Sequence, residues 1–537
     1  MEKRFFLATL LSILILAFWT VIFPPQRPGA IQSKESQYID NKEVAVDEAA
    51  LSSPPSLALS APAASIFEAK IETIETPKIS VEFSNMGGLI SKVALREYNT
   101  TLPVRAMGGA AGYDQFEFVQ ERIGPLEIAY GYETADLKIR RVYTVAPDDY
   151  SIKAQTIVQN KTDMSKELTW EDHGIVLDMS NIEKQNGDFV HDRALFEYVI
   201  SASGNIERKS NAFKFLQKEQ RSVMTNVSWV AFRSRYFCAI MKPNYATDVY
   251  FVKYLSDNEL HLNVRAKTIN VAPGASAAFG SLIFVGPEKS DLLAKYKAGF
   301  EEIKRYYRIT LFDVIAKIID KFLHFIHKFV HNWGVSVILI SVGIYLLMYP
   351  LTLRSMLSMR KMQELQPKIA ALREKYKDNP QKMNIEVMEL YKKHKVNPLG
   401  GCLPMLLQMP VFIGLYQVLW RSVSFKGAHF LWIKDLSEPD RLFVLPVSLP
   451  FIGNEINLLP ILMIFVMAVQ QKLTTKSMGA TDPAQITQQK MMAVIMPIFL
   501  GAIFYHFASG LTLYFTLFYA LSAFAQFKMQ IVTPAKA

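Results

Sequence analysis

Three histidines, His324, His327 and His331, recur three and four residues apart within LFDVIAKIIDKFLHFIHKFVH, residues 311–331. That spacing sets the rings on one face of a helix, from which imidazole nitrogens could clasp a zinc ion. With no carboxylate or cysteine counted beside them as a further ligand, a solvated polar stripe is favoured and no metal is expected. The two cysteines, Cys238 and Cys402, lie in segments of different character, which excludes a disulfide framework and a thiolate metal site. No nucleophile-base motif and no glycine-rich phosphate loop stands out in residues 66–290. The chain is therefore read as a non-enzyme, with no catalytic residue and no cofactor.

A different chemistry is offered by polar side chains inside apolar runs. Ser341, Tyr345, Met348 and Thr352 follow i, i+4, i+7, i+11 spacing, and Thr512, Thr516, Tyr519 and Gln526 share a face of another run. Within a bilayer such faces point to a helix bundle or a wet cavity, where they can hydrogen-bond a polar guest. For Ser and Thr alone, bonding between neighbouring helices is the simpler reading, at under about 1 kcal/mol per contact. Gln408 is harder to dismiss, because KVNPLGGCLPMLLQMPVF (395–412) also carries Pro398, Pro404 and Pro410. Prolines 404 and 410 are expected to loosen that span, leaving backbone carbonyls tolerable only beside protein or water. Gln417 lies nine residues on, on roughly the opposite face, and need not share the role.

The elements that would position these residues follow from hydropathy and charge. Half of the 537 residues are hydrophobic, too many in places for a wholly soluble chain. Apolar runs at 5–23, 333–353, 397–421, 456–473, 490–508 and 511–530 are each read as a transmembrane helix. Residues 1–24 form the first anchor, whose apolar run 5–23 is followed by Pro24-Pro25 rather than a small-residue cleavage site. Residues 25–65, rich in Ser, Ala and Pro, make a linker. Residues 66–290 carry short β-branched and aromatic runs such as KISVEFS and LKIRRVYTV, which predict a large all-β sandwich. Residues 291–332 add a linker and an amphipathic helix suited to the membrane interface.

The net charge of +10 reads as membrane topology rather than as a sign of nucleic acid. Residues 354–396 hold eleven Lys/Arg against five Asp/Glu, whereas 422–455 hold three against four. The positive-inside rule places the former in the cytoplasm, so both termini are cytoplasmic and the β domain lies outside. The loop 474–489 and the tail 531–537 fall on the cytoplasmic side. Met359, Met362, Leu365, Ile369, Leu372 and Tyr376 recur at helical spacing, and Asp378-Asn379-Pro380 supplies a turn, a cap and a first-turn proline for a second helix. A basic helical hairpin results, its methionine-rich stripe either packed inside it, the simpler reading, or presented as an adaptable surface to varied partners.

This order, with WGVSVILISVGIYLLMYPLT (333–352), MQELQPKIAALREKY (362–376), KVNPLGGCLPMLLQMPVF (395–412), VQQKL (469–473), TDPAQ (481–485) and SGLTLYF (509–515), resembles the YidC/Oxa family of membrane-protein insertases. The resemblance is specific over about 300–530 and rests on position and β character in the outer domain. It implies the inner membrane of a Gram-negative bacterium and five helices enclosing a hydrophilic groove. It also implies partners: nascent membrane proteins, the Sec translocon, ribosome-nascent chain complexes and membrane lipid, with no specific nucleic acid. The groove would be lined by Ser341, Tyr345, Thr352, Gln408, Thr512, Phe515, Thr516 and Tyr519, and the hairpin would act through Leu365, Gln366, Pro367 and Lys368. One position departs from the family pattern: relatives usually carry an arginine where this chain has Tyr345, and Arg354 is nine residues away. Two other classes stay open on the residues alone, a transporter or channel built on the polar stripes and an enzyme using paired carboxylates of the β domain on carbohydrate.

Overall fold

Alternation governs the β domain. In LKIRRVYTV, Leu137, Ile139, Arg141, Tyr143 and Val145 are buried while Lys138, Arg140 and Thr144 face solvent, the period of two expected of a strand with one face on a core. The computed structural model describes residues 69–178, 196–210, 226–256, 259–377, 379–396, 403–449, 453–478 and 483–532. The first anchor, the linker 25–65, the Asn397–Gly401 turn and Cys402 lie outside the described residues. All described residues belong to the unit Phe67–Ala537.

Two antiparallel sheets dominate residues 71–287. One, of eight strands, runs Ile71–Glu75, Ile79–Ser84, Leu89–Leu95, Val104–Met107, Glu171–Asp178, Glu259–Ala266, Thr247–Ser256, with Thr100–Thr101 beside the third. The other, of nine strands, runs from Asn205–Ser210 through Glu197–Ala202, Val227–Arg233, Phe237–Pro243, Ser276–Pro287, Ser151–Asn160, Leu137–Val145 and Glu127–Glu133 to Val119–Gly124. Their inner faces share one core that holds Phe83, Tyr143, Phe232 and Trp229. The Tyr143 hydroxyl lies 2.9 Å from the carbonyl oxygens of both Gly88 and Gly108, so a buried polar atom in that core is satisfied. Arg141 and Asp172, each 2% exposed, pair at 2.7 Å. Trp170 Nε1 and the Tyr245 hydroxyl also donate to the Asp172 carboxylate.

Helices follow. A short one, α1 (Ser290–Ala294), leads through residues 300–309 to α2 (Thr310–Val330). Then come α3 (Trp333–Glu364), the hairpin helices α4 (Gln366–Lys375) and α5 (Pro380–Lys393), and α6 (Leu403–Arg421). A strand pair, Phe443–Leu449 with Gly453–Ile456, precedes α7 (Leu458–Met478), α8 (Pro483–Phe504) and α9 (Ser509–Val532). Among the described residues three segments are long and apolar enough to cross a bilayer, Trp333–Glu364, Leu458–Thr475 and Ser509–Met529, and Ala493–Phe504 is a shorter apolar helix. Close approach is built in at two glycines. A Cβ at Gly501 would overlap Ile464 of α7, and one at Gly414 would sit 3.1 Å from Ile315 of α2, the small-residue contact that lets helices meet in lipid.

Of the prolines singled out at 397–421, Pro410 lies inside α6, as Pro350 does in α3 and Pro497 in α8.

The amphipathic helix α2 differs from expectation. Its outward apolar stripe is Leu311, Val314, Ile318, Phe322, Phe325 and Phe329, all exposed, which suits a lipid-facing surface. The acidic members of the polar face are buried rather than solvated, because residues 304–307 lie over them. Asp313 accepts from the Tyr306 backbone N–H at 2.7 Å and pairs with Lys317 at 2.9 Å. Asp320 accepts from Lys304 Nζ at 2.9 Å and stands 3.4 Å from His324 Nδ1. A carboxylate therefore does stand beside the first histidine. The three histidines also go separate ways: His324 bridges Asp320 and the Ser424 hydroxyl, His327 stacks on Trp333 with ring centroids 3.8 Å apart, and His331 ends the helix at φ +56°.

The hairpin forms through the residues the sequence singles out. Asn379 Oδ1 accepts from Lys382 N at 3.1 Å, and Pro380 opens α5. Leu365 and Ile369 pack with Val396, flanked by Met362, Val387, Leu390 and Tyr391. The stripe is not one helix, however. Met359 and Met362 end α3, and Leu365 joins it to α4, where Gln366 and Pro367 make the first turn and Lys368 is exposed.

Two measurements check these contacts. Arg141→Met would leave Asp172 as an uncompensated buried charge, so urea unfolding of the β domain should show a loss of about 3–5 kcal/mol. Burial disfavours the His324 cation, but its hydrogen bond to Asp320 and the nearby charge outweigh that and hold its pKa above the usual histidine value. Its stabilisation is therefore complete below about pH 6.5 and fades as pH rises through the higher folded value. Amide exchange across 310–330, corrected for intrinsic rates, should be slower at pH 6 than at pH 9, and His324→Gln should remove that difference.

Candidate functional site

Three apolar helices, α3, α6 and α9, bring polar atoms together in the bundle. Gln408 is buried on α6, and its side-chain amide donates to the hydroxyl of Tyr514 on α9. Tyr345 is buried on α3, and its hydroxyl donates to the backbone carbonyl of Leu521 on α9 at 3.2 Å. Its ring centroid lies 6.0 Å from those of Phe518 and Tyr349. One turn further along α9, Gln526 accepts from Thr474 of α7 at 2.9 Å. Each contact satisfies a group that hydrocarbon would leave bare.

The hydroxyls chosen from the sequence behave differently. Ser341, Thr352, Thr512 and Thr516 each donate to the carbonyl four residues earlier on their own helix, the back-bonding open to Ser and Thr within a helix. Ser341, Thr512 and Thr516 are buried, while Thr352 is half-buried. Phe515 and Tyr519 belong to an aromatic row, with centroids 6.2 Å apart and Phe515 5.2 Å from Phe412 of α6. The structure thus brings Tyr345, Gln408, Phe515 and Tyr519 into contacts around α9, and leaves Ser341 and Thr352 bonded only along α3. Gln417 lies apart from Gln408, with its carbonyl oxygen buried and unpartnered.

Tyr514 was missed by the face reading because it stands two residues from Thr512 and Thr516, about 200° around a helix. The motif SGLTLYF contains it, but periodicity alone gives it no place on the chosen stripe.

At the end of the bundle nearer the β domain, one short segment bonds the starts of two helices. The Asp440 carboxylate accepts from the backbone N–H groups of Leu458 and Leu459 at 2.9 Å each and so caps α7. Ser509 N donates to Glu438 O at 2.8 Å and Gly510 N to Leu436 O at 2.9 Å, holding the start of α9. Arg235, from the turn between the strands Val227–Arg233 and Phe237–Pro243, reaches the same place. It donates to Trp420 O at 2.8 Å and Ser437 O at 3.0 Å, and pairs with Glu438 at 3.1 Å. Its guanidinium also lies over the rings of Tyr236 and Trp420 at 4.6 and 5.0 Å. No sequence motif announced Arg235, Asp440 or Asn457, whose side chain bonds the Tyr505 carbonyl at 2.8 Å. Each is a single polar residue in a loop.

Comparison with known proteins agrees with this architecture. Residues 325–536 match the family described as 60Kd inner membrane protein, and residues 115–321 match the YidC periplasmic domain. The membrane protein insertase YidC of Pelobacter propionicus is 32% identical over 547 residues, covering 96% of this chain and 97% of that protein. The protein of the same name from Janthinobacterium sp. strain Marseille is 32% identical over 503 residues, covering 87% and 86%. A crystal structure of an active YidC insertase with its first transmembrane domain resolved aligns at 19% identity and a TM-score of 0.38, over 88% of this chain and 94% of that one. With near-complete coverage at this level of identity, the chain belongs to the YidC family of membrane protein insertases, with a β-rich periplasmic domain and several apolar helices.

Proposed function

We propose that this chain inserts newly made proteins into the inner membrane of a Gram-negative bacterium and assists their folding. The observation that carries this reading is the meeting of polar side chains from three apolar helices, Tyr345, Gln408 and Tyr514, in a bundle bonded together at its β-domain end. A nascent span with a hydrophilic flank needs polar partners inside the bilayer for that flank and a lipid-facing exit for its apolar part. Ser341, Tyr345, Thr352, Gln408, Thr512, Phe515, Thr516 and Tyr519 line the groove that receives it. Apolar transfer supplies the work, each Leu or Ile gaining about 0.3–0.6 kcal/mol at the span centre.

Six helices cross the membrane, the first at residues 5–23, and both termini are cytoplasmic. The two sheets form an all-β sandwich on the periplasmic side. The basic hairpin, with Leu365, Gln366, Pro367 and Lys368 at its root, meets the ribosome-nascent chain, and the Sec translocon acts as a second partner for larger clients. With Tyr345 in place of a groove arginine and Arg354 exposed nine residues on, hydration and hydrogen bonding rather than Coulomb attraction lower the barrier for a translocated tail.

Reconstitution with a single-span client tests this. Tyr345→Phe loses one interhelical hydrogen bond, and insertion should stay within about threefold of the parent. Tyr345→Leu also loses the ring contacts to Phe518 and Tyr349 and should insert more poorly at equal protein abundance. A severe loss in the Phe variant would make the hydroxyl itself essential, and unchanged insertion in the Leu variant would remove Tyr345 from the groove.

A further inference from the structure

Between the β domain and α2 lies a cavity of about 1210 Å³, above the usual size of a small-molecule pocket. It lies outside the polar cluster of α3, α6 and α9, and two observations say what chemistry fits it. The first is charge. Lys295, Lys321 and Lys328 line it, as do Asp291, Glu301 and Glu302. None of these six takes part in an ion pair among the described residues. Other charged groups of the wall are already engaged: Lys304 with Asp320, Lys317 with Asp313, and Lys78 with Glu97. Lys289, over the Tyr98 ring at 5.8 Å, adds a fourth wall cation outside any ion pair among the described residues, so unpaired charges of both signs line the cavity, the complement of a headgroup that itself carries both signs.

The second observation is the floor. Phe322 and Phe325 line the cavity and are each 57% exposed, and they continue into the outward stripe of Ile318 and Phe329 on α2. Charged side chains therefore rim a cavity whose lining is mostly apolar and which opens along an apolar surface suited to acyl chains. A soluble phosphate compound would have no use for that continuation.

We propose that this cavity holds the headgroup of a phospholipid bearing a phosphate diester and a primary ammonium, drawn from the leaflet beside the β domain. Lys295, Lys321 and Lys328 meet the phosphate, Asp291, Glu301 and Glu302 meet the ammonium, and the acyl chains leave over Phe322 and Phe325. Charge-assisted hydrogen bonds explain the choice of a primary ammonium, which donates three, over a quaternary one, which donates none. The inference rests on α2 lying at the membrane surface and is independent of insertion activity.

Native mass spectrometry of the full chain, released from nanodiscs of phosphatidylethanolamine, phosphatidylglycerol and phosphatidylcholine with identical acyl chains, tests it. The expected result is one retained lipid, with the ethanolamine form preferred by about fivefold or more over each of the others. Lys321→Gln with Lys328→Gln should lower retention of all three. Asp291→Asn with Glu301→Gln and Glu302→Gln should abolish the preference for ethanolamine over choline while phosphate-dependent retention persists. Lys138→Gln with Lys153→Gln, on the β domain away from the cavity, should change nothing. Equal retention of the three lipids by the parent, a preference for phosphatidylglycerol, or a pattern untouched by both cavity variants would overturn the proposal.

Discussion

A helix that ends at a membrane surface leaves its first N–H groups without partners, and hydrocarbon offers none. In this protein residues 435–440 meet that need for two helices at once. Asp440 caps α7, and the carbonyls of Leu436 and Glu438 take the first amides of α9. Because α6 leads into the same segment, and because Arg235 ties both the end of α6 and Ser437 to the β domain, four elements depend on one layer of hydrogen bonds. Loss of that layer would leave the first amides of α7 and α9 without these partners. The β domain is thereby more than an appendage, since it fixes where three helices begin or end.

Fixing those ends has a consequence for the middle of the bundle. Gln408 and Tyr514 find each other across α6 and α9, and Tyr345 finds a carbonyl of α9. These bonds are weak singly, about 0.6 kcal/mol on average in membrane proteins. In the proposed function a polar client segment exchanges with them at little cost, whereas the charge-assisted layer at the end stays in place. Interior prolines in α3, α6 and α8 further reduce the stiffness of the walls. A firmly bonded end and an exchangeable polar interior are the two properties that the proposed one-sided insertion demands.

Much of this was legible in the residues. Strict alternation in LKIRRVYTV marks a half-buried strand, and Asn379-Pro380 marks a helix start, because both signals are local. The apolar runs at 333–353, 456–473 and 511–530 stand out for the same reason. What could not be read depends on partners distant in sequence. Asp320 and Asp313 look solvent-facing by helical phase, yet residues 304–307 cover them, and Lys304 with the Tyr306 amide makes their burial tolerable. Tyr514 falls off the polar stripe of its own helix and gains meaning only from Gln408.

The central claim is that a client's hydrophilic segment enters the polar interior shared by α3, α6 and α9. Its most direct test is a photoreactive amino acid placed at Gln408, with a lipid-facing control at Phe465 of α7, during synthesis of a single-span client. Crosslinks from position 408 to the residues flanking the client's span, early in synthesis and fading as the span is released, are the predicted result. Capture from position 465 at equal or greater yield, with none from 408, would contradict the account and move insertion to the outer surface of the bundle.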